Sequence, residues 1–175
     1  EYWTMAWTTA PSISNMPAKV QLWVDGVKVS EGNVVLNNVH VSNTAYALNT
    51  QISGTAANTL TVENSSLEGW TSFSGFNSAK FINTAFYIGD FFENTDPTIL
   101  NSWNATVKPY VATVFEGCSF EKGFNFDLSK LVSGATVTLK NCTVNGVKIT
   151  AENAVSLKTG EVTFFYNGVG SVRFE

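Results

Sequence analysis

The stretch that decides the fold is Phe115-Glu116-Gly117-Cys118-Ser119-Phe120, which returns further along as Leu139-Lys140-Asn141-Cys142-Thr143-Val144. Each copy opens and closes on a large apolar residue, and each carries Gly or Asn directly before Cys in its middle. Repetition of this kind indicates stacked structural units, and it must be tested before any fold is named.

Five segments of the chain align on this pattern. They are residues 34–41 (VVLNNVHV), 60–67 (LTVENSSL), 79–86 (AKFINTAF), 113–120 (TVFEGCSF) and 137–144 (VTLKNCTV). The third and eighth places are large and apolar in every segment, the fifth place is Asn four times and Gly once, and the sixth place is small or β-branched. The sixth place therefore suits an inward position where neighbouring units crowd together.

The spacing of the apolar places predicts a bend inside each segment. The third and eighth places are five residues apart, so one uninterrupted strand would place them on opposite faces. Asn tolerates the left-handed backbone conformation, and its amide can satisfy backbone groups at a corner. The predicted corner residues are Asn38, Asn64, Asn83 and Asn141. Their side chains are expected to form a hydrogen-bonded ladder along the stack.

A repeated unit of strand, Asn corner and strand predicts an all-β chain. It also predicts a right-handed parallel β-helix, which is a single-stranded solenoid. We expect one domain of 175 residues. Residues 1–33 are expected to hold an N-terminal cap and the first strands, and residues 34–147 the repeated coils, with an insertion near residues 87–111. Residues 148–175 are expected to form C-terminal strands or a cap.

Three dipeptides favour short hairpin-like caps on this solenoid: Asp25-Gly26, Asn145-Gly146 and Asn167-Gly168. The same turn signals keep a β-sandwich open as the alternative fold, because regularly spaced short strands are typical of it as well. Helix is expected only in short pieces, such as residues 127–131, where Asp127 would serve as the N-cap.

Composition limits the classes of partner. Charged residues make up 14% of the chain, the net charge is -4, and the ten basic residues are scattered singly. Nucleic acid is not an expected partner, because no basic stripe could neutralise several phosphates at once. No apolar run reaches the roughly 18 residues of a membrane-spanning helix. The chain opens on Glu1 without an initiator Met, which favours export and a missing N-terminal segment or domain.

The two coils quoted at the outset resemble the "apolar, x, Asn-Cys-Thr-Phe" coils of pectate-lyase-like right-handed β-helix proteins, particularly secreted bacterial ones of unassigned role. The resemblance covers residues 34–147. Members of that superfamily are often polysaccharide lyases or glycoside hydrolases, while others are adhesins or passive surface stalks. The resemblance therefore implies a fold and a secreted or cell-surface setting, and it does not choose among these functions.

The insertion is the candidate ligand-binding surface, because long insertions on one face of a solenoid often carry function. The candidate residues are Trp70, Tyr87, Asp90, Glu93, Asp96, Trp103 and Tyr110. Aromatic rings near loops can stack on sugars. The three carboxylates can in principle bind calcium or cleave a glycosidic bond. Ordinary loop carboxylates are favoured, since EF-hand spacing is missing and no basic residue lies between Lys80 and Lys108.

Cys118 and Cys142 occupy the same place in adjacent repeats, so a β-helix would stack them about 4.8 Å apart. A disulfide is feasible at that separation, but a pair of buried free thiols is favoured. His40 is the only His, and a zinc site is not expected around a single His. We expect no catalytic residue, no metal site and no cofactor.

These observations favour a non-catalytic, secreted or cell-surface β-helix module that is adhesin-like or binds a glycan or another cell-surface component. One alternative is a carbohydrate-active β-helix enzyme, either a polysaccharide lyase or a glycoside hydrolase, or a fragment of one. A second alternative is a purely structural spacer.

Overall fold

The structure is a computed structural model, and it describes residues 12–13, 21–24, 34–41, 46–50, 59–89, 106–155, 165–167 and 171–175. Within these ranges the chain forms nineteen strands and one short helix. The elements are β1 (Ser12–Ile13), β2 (Gln21–Val24), β3 (Val34–Asn37), β4 (His40–Val41), β5 (Tyr46–Thr50), β6 (Thr59–Glu63), β7 (Ser66–Glu68), β8 (Trp70–Phe73), β9 (Ser78–Ile82), β10 (Ala85–Tyr87), β11 (Thr106–Pro109), β12 (Ala112–Glu116), β13 (Ser119–Phe120), β14 (Asn125–Asp127), β15 (Thr136–Lys140), β16 (Thr143–Val144), β17 (Val147–Lys148), α1 (Ala151–Val155), β18 (Phe165–Asn167) and β19 (Ser171–Phe174).

The strands stack into three sheets because, from β1 to β16, each strand pairs with the strand three places further along the chain; beyond this, β14 pairs with β18, β15 with β19 and β16 with β17. Sheet 1 has the order β3-β6-β9-β12-β15-β19, and sheet 2 has the order β1-β4-β7-β10-β13-β16-β17. Sheet 3 has the order β2-β5-β8-β11-β14-β18. The chain visits sheets 1, 2 and 3 in turn, and each round is one coil.

Every pairing between the described strands is parallel except that of β16 with β17. Stacked parallel sheets of this kind are consistent with the predicted parallel β-helix. The alternative β-sandwich does not fit, because a sandwich is built from antiparallel sheets.

The register confirms the alignment of the repeats. The third-place residues face one another in succession along sheet 1: Leu36, Val62, Phe81, Phe115 and Leu139. The eighth-place residues do the same along sheet 2: Val41, Leu67, Phe86, Phe120 and Val144. All ten side chains are buried. The long strands of sheet 1 alternate between buried and half-buried residues, as a sheet with one face on the core requires.

Strand β19 is a sixth member of sheet 1 that the sequence alignment missed. Phe174 lies opposite Leu139 and extends the third-place file. The segment was not recognised because only its first four places, residues 172–175, lie within the 175 residues, and the identifying fifth and eighth places could not be compared.

The fifth place bends the chain as predicted. The φ angles of Asn38, Asn64, Asn83 and Asn141 are 59°, 52°, 47° and 50°, and that of Gly117 is 62°. Each of these residues donates its backbone N–H to a carbonyl of the following coil or strand, at 2.9–3.0 Å. The left-handed conformation thus turns the chain from sheet 1 to sheet 2 without breaking the ladder between coils.

The predicted ladder of corner Asn side chains is not what holds these corners together. Asn64 Nδ2 donates to Asn37 Oδ1 at 3.1 Å, and Asn38 Oδ1 pairs with His40 Nε2 at 3.0 Å. Among the described corners, the continuous file of hydrogen bonds is made by the backbone instead. The amides of Asn64, Asn83 and Asn141 are exposed, so water can satisfy them.

One hairpin cap is confirmed. Strands β16 and β17 pair antiparallel across Asn145-Gly146, whose φ angles of 48° and 78° are both positive, as a type I′ turn requires. The residues that would complete the hairpins at Asp25-Gly26 and Asn167-Gly168 lie outside the described ranges.

The short helix lies elsewhere than predicted. Asp127 ends β14, and its Oδ1 accepts the N–H of Ser129 at 2.9 Å, so residues 127–131 form a turn. The helix is α1, with Thr150 as its N-cap. Thr150 Oγ1 accepts the N–H of Asn153, while Asn153 Oδ1 accepts the N–H of Thr150. This reciprocal pair is a capping box with Asn in place of the usual Glu or Gln.

Candidate functional site

The structure describes three of the seven candidate ligand-binding residues: Trp70, Tyr87 and Tyr110. The other four, Asp90, Glu93, Asp96 and Trp103, lie outside the described residues. The insertion that carries them leaves from the end of β10, on sheet 2, and the described chain resumes at β11, on sheet 3. The described residues that lie nearest to the insertion along the chain are those around these two attachment points.

Tyr87 is the most exposed of the three described candidates. It is the last residue of β10, and 49% of its surface is accessible. Its neighbour Phe86 points into the core, so the alternation along the strand directs Tyr87 outward. The ring is thus presented on the outer face of sheet 2 by a regular strand rather than by a loop.

Two carboxylate residues flank Tyr87 in the same outward column. Glu68 lies directly opposite Tyr87 on one side. Phe86 pairs with Phe120 on the other side, which places Glu121 beside Tyr87 in the next coil. We call Glu68, Tyr87 and Glu121 the Tyr87 row. The two glutamates are two strand spacings apart, about 10 Å between backbones.

The backbone of the Tyr87 row is tied on both sides. The carbonyl of Tyr87 accepts the N–H of Gly69 at 3.0 Å, and the carbonyl of Phe86 accepts the N–H of Glu121 at 2.9 Å. The carboxylate Oε2 of Glu121 also accepts the N–H of Ile88 at 2.6 Å. Glu121 therefore fixes the residue that follows Tyr87, at the root of the insertion.

A second group lies on sheet 3, where the described chain resumes. Lys108 Nζ is 3.1 Å from Asp127 Oδ2 and 5.7 Å from the centroid of the Trp70 ring. The side chains of Lys108 and Asp127 are only 17% and 22% exposed. The ammonium group lies within cation–π range of the ring, so one face of Trp70 is already occupied and is not open to a sugar.

The charge of Asp127 is stabilised in place. Burial raises the pKa of its carboxyl, but hydrogen bonds from Ser129 and then from Lys108 outweigh burial, so that the pKa lies below its ordinary value. Asp127 is therefore ionised near neutral pH and serves as the counter-ion of Lys108. Tyr110, close by in sequence, is partly buried and packs against the core.

Taken together, the predicted candidates separate into two kinds. Tyr87 is exposed on sheet 2. Trp70, on sheet 3, and Tyr110, directly after the sheet 3 strand β11, are both partly buried. The sequence reasoning missed Glu68, Glu121, Lys108 and Asp127. Extending the five aligned repeats by one more place would have put Glu68, Tyr87 and Glu121 in one column, which is the signal that could have found the row.

The chemistry of the Tyr87 row favours recognition. An exposed ring can stack on a sugar face, and carboxylates can accept hydrogen bonds from sugar hydroxyls. Inverting glycosidases use two carboxyl groups roughly 6.5–9.5 Å apart, and Glu68 and Glu121 are two carboxylate residues in one column. However, Glu121 is engaged with the backbone of Ile88, which disfavours it as an acid or base.

Cys118 and Cys142 are free thiols, and both are buried. Cys118 Sγ lies 3.4 Å from the carbonyl of Phe81, and Cys142 Sγ lies 3.2 Å from the carbonyl of Phe115. Thr84, in the same place one coil earlier, directs its hydroxyl at the carbonyl of Val62. In these three coils the sixth place thus supplies a donor that ties the corner to the preceding coil, and the thiols have this structural role.

The described residues contain no group of three or more His, Cys, Asp or Glu side chains that could hold a metal ion. His40 Nδ1 pairs with Ser66 Oγ at 2.7 Å, and its Nε2 pairs with Asn38 Oδ1.

None of the described helices is both long enough and apolar enough to cross a membrane. Comparison with known proteins finds no matching family model, no similar curated protein and no similar solved structure.

Proposed function

We propose that this chain is a secreted or cell-surface module of the right-handed parallel β-helix type that binds a glycan through the Tyr87 row without cleaving it. The observation that carries the proposal is the position of Tyr87, which is 49% exposed at the end of a regular strand between two glutamates. An adhesin-like role, in which this face meets a carbohydrate on another surface, follows from the same arrangement.

Rigidity supports binding by this row. The backbone hydrogen bonds on both sides of Tyr87 and the Glu121 contact with Ile88 fix the backbone that carries the ring before any ligand arrives. A pre-ordered site loses less entropy on association than a loop does.

The handedness of the coils and the kinship with pectate-lyase-like proteins belong to this proposal. They are supported by the Asn-Cys-Thr coil at residues 141–143 and by the regular succession of the three parallel sheets. The secreted or cell-surface setting rests on the same resemblance.

Glycan-array binding tests the proposal with the wild-type chain, Tyr87→Ala and Tyr87→Phe. We expect the wild type to bind at least one glycan and Tyr87→Ala to weaken that binding by about tenfold or more, since the stacking surface is lost. Tyr87→Phe keeps the ring and should retain most of the affinity. Val132→Ala, which truncates a side chain that is 54% exposed on a different part of the surface, is the control.

Two results would overturn the proposal. If no glycan binds, the structural-spacer alternative is favoured. If Tyr87→Ala binds as tightly as the wild type, the contact surface lies elsewhere, and the insertion becomes the first region to test.

A carbohydrate-active enzyme is the second candidate, and the shared column of Glu68 and Glu121 is the observation in its favour. Incubation with a panel of polysaccharides, followed by assays for new reducing ends and for unsaturated uronate, tests this candidate. We expect no product. Product formation that is lost in both Glu68→Gln and Glu121→Gln would establish catalysis and contradict the non-catalytic proposal.

A further inference from the structure

The two cysteines are stacked in adjacent coils. Ser119 pairs with Thr143 in the parallel ladder of β13 and β16, and the N–H of Thr143 donates to the carbonyl of Cys118 at 3.0 Å. Cys118 and Cys142 therefore occupy equivalent points one strand spacing apart, about 4.8 Å. This separation lies within the range of Cα distances that disulfides span, roughly 4.4–6.8 Å.

Both side chains point to the same interior. Each is 1% exposed, and each thiol faces a backbone carbonyl of the preceding coil, that of Phe81 for Cys118 and that of Phe115 for Cys142. The other described sixth-place residues, Val39, Ser65 and Thr84, contain no sulfur. The chain thus places two thiols next to each other at one point of the stack, between the coil that starts with β12 and the coil that starts with β15.

We propose that Cys118 and Cys142 are a latent disulfide pair, and that the redox environment in which the chain folds decides whether these two coils become cross-linked. The oxidant is a small-molecule disulfide such as oxidised glutathione. The thiolate of one cysteine attacks the glutathione disulfide, forms a mixed disulfide and releases one glutathione thiolate. The other cysteine then attacks the protein sulfur and displaces the second glutathione. The two cysteines lose two protons and two electrons, and the oxidant becomes two thiols.

The folded chain protects the pair from this exchange. Neither sulfur is accessible to a molecule as large as glutathione. The neighbouring Cys142 thiol and burial both raise the pKa of the Cys118 thiol above its ordinary value, so Cys118 is held as an unreactive thiol. Exchange must therefore occur before the coils close or during a transient opening, and the redox state is then retained.

The stack can accommodate the oxidised form. A disulfide removes the S–H donors that face the carbonyls of Phe81 and Phe115. Thiols are weak donors, so the loss is small. The first coil already has Val39 in the sixth place, fully buried and without a side-chain donor, which indicates that a corner of this type forms without that hydrogen bond.

Oxidative refolding tests the proposal. The unfolded wild-type chain is refolded with oxidised and reduced glutathione, and a second sample is refolded in reductant alone. We expect the oxidised sample to lose two hydrogens in mass, to contain no titratable thiol and to unfold about 5–10 °C higher, as for a disulfide that closes a loop of this size. The folded reduced chain, given the same oxidant for the same time, should keep both thiols.

Cys118→Ser/Cys142→Ser is the matched control, because Ser65 occupies the same place in another coil. This variant should unfold at the same temperature after either treatment. Two free thiols after oxidative refolding, or only glutathione adducts and disulfide-linked dimers, would refute the latent pair. Equally fast oxidation of the folded chain would refute control at the folding stage. The mass and thiol measurements on the wild type decide both points even if the variant does not fold.

Discussion

The phenyl rings of Phe81 and Phe115 stack nearly parallel across neighbouring coils, with centroids 4.9 Å apart and planes inclined by 8°. Phe86 and Phe120 repeat the arrangement one sheet away, at 4.7 Å and 8°. Both separations match the spacing of paired strands, about 4.8 Å. The parallel register therefore sets the ring stacking, and identical residues at identical places of the repeat reinforce it.

Phe115 is expected to be a critical core residue, because its ring contacts those of Phe81, Phe86, Phe120 and Phe126. Phe115→Ala should lower the free energy of unfolding by about 3–5 kcal/mol, since it removes a fully buried ring and leaves a cavity. Urea unfolding measures this loss. Tyr87→Ala, which truncates a half-exposed ring, is the matched control and should lower the free energy of unfolding far less. An equal loss in both variants would show that the stacked core rings stabilise the fold no more than a surface ring does.

Thr71 contains an unsatisfied group. Its hydroxyl oxygen is buried in β8, and among the described residues it is the one buried side-chain nitrogen or oxygen without a hydrogen-bond partner. Thr71→Val should raise the free energy of unfolding by about 1 kcal/mol, because it removes an unpaired polar group from the core.

Thr113 is the comparison for this substitution. It is also buried, but its hydroxyl donates to the carbonyl of Val111 at 2.8 Å. Thr113→Val should therefore destabilise by about 1 kcal/mol. Thermal unfolding of both variants checks the pair, and shifts of the same sign would contradict the assignment of the hydrogen bonds.

An alanine at Gly117 should be unfavourable for two reasons. Its φ angle is 62°, and a Cβ atom at this position would lie 2.7 Å from Asn83 Oδ1. Gly134 has a φ of 79° and nothing within 4 Å of such a Cβ. Both Gly→Ala variants should incur the backbone strain of about 1–2 kcal/mol, and Gly117→Ala should be the more destabilising of the two.

The extra loss in Gly117→Ala should depend on the Asn83 side chain. Adding Asn83→Ala removes the contact, so the double variant should be more stable than the sum of the two single effects predicts. A double-mutant cycle of unfolding free energies measures this coupling. Additive effects would show that backbone conformation alone explains the glycine.

Asp127 should make stability depend on acid pH. Its pKa is lower in the folded chain, where hydrogen bonds from Ser129 and Lys108 outweigh burial, than in the unfolded chain. Its contribution is therefore complete above the unfolded pKa, near pH 4, and is lost as the pH falls through the folded pKa. The stability difference between the wild type and Asp127→Asn should accordingly shrink between pH 6 and pH 2 in urea unfolding.

Glu116 is the more exposed counterpart for the pH experiment, with 34% of its side chain exposed against 22% for Asp127. Its pKa is also lowered, by hydrogen bonds from Lys80 and then Lys140. Because this carboxylate is at the surface, added salt should suppress its effect more strongly than that of Asp127. A pH dependence of Glu116→Gln that resists salt better than that of Asp127→Asn would contradict this distinction.

Local chemistry explains why much of the fold could be predicted from the sequence. An Asn that accepts a positive φ, such as Asn83, and large apolar residues on either side of it, such as Phe81 and Phe86, specify a strand, a corner and a second strand from one short segment. The helix expected at Asp127 was wrong for a comparable reason. An Asp side chain caps a turn and a helix in the same way, and only the following residues decide which forms.

The sequence by itself determined the coil, because burial periodicity and backbone preference are properties of neighbouring residues. Only the tertiary structure decided which side chains meet on sheet 3, whose strands lie outside the aligned repeats. There Lys108 lies over Trp70, because the parallel register pairs strands that are separated by loops of unequal length. The sequence of a loop does not specify which residues of two coils will lie opposite each other, so the register of the paired strands sets this contact.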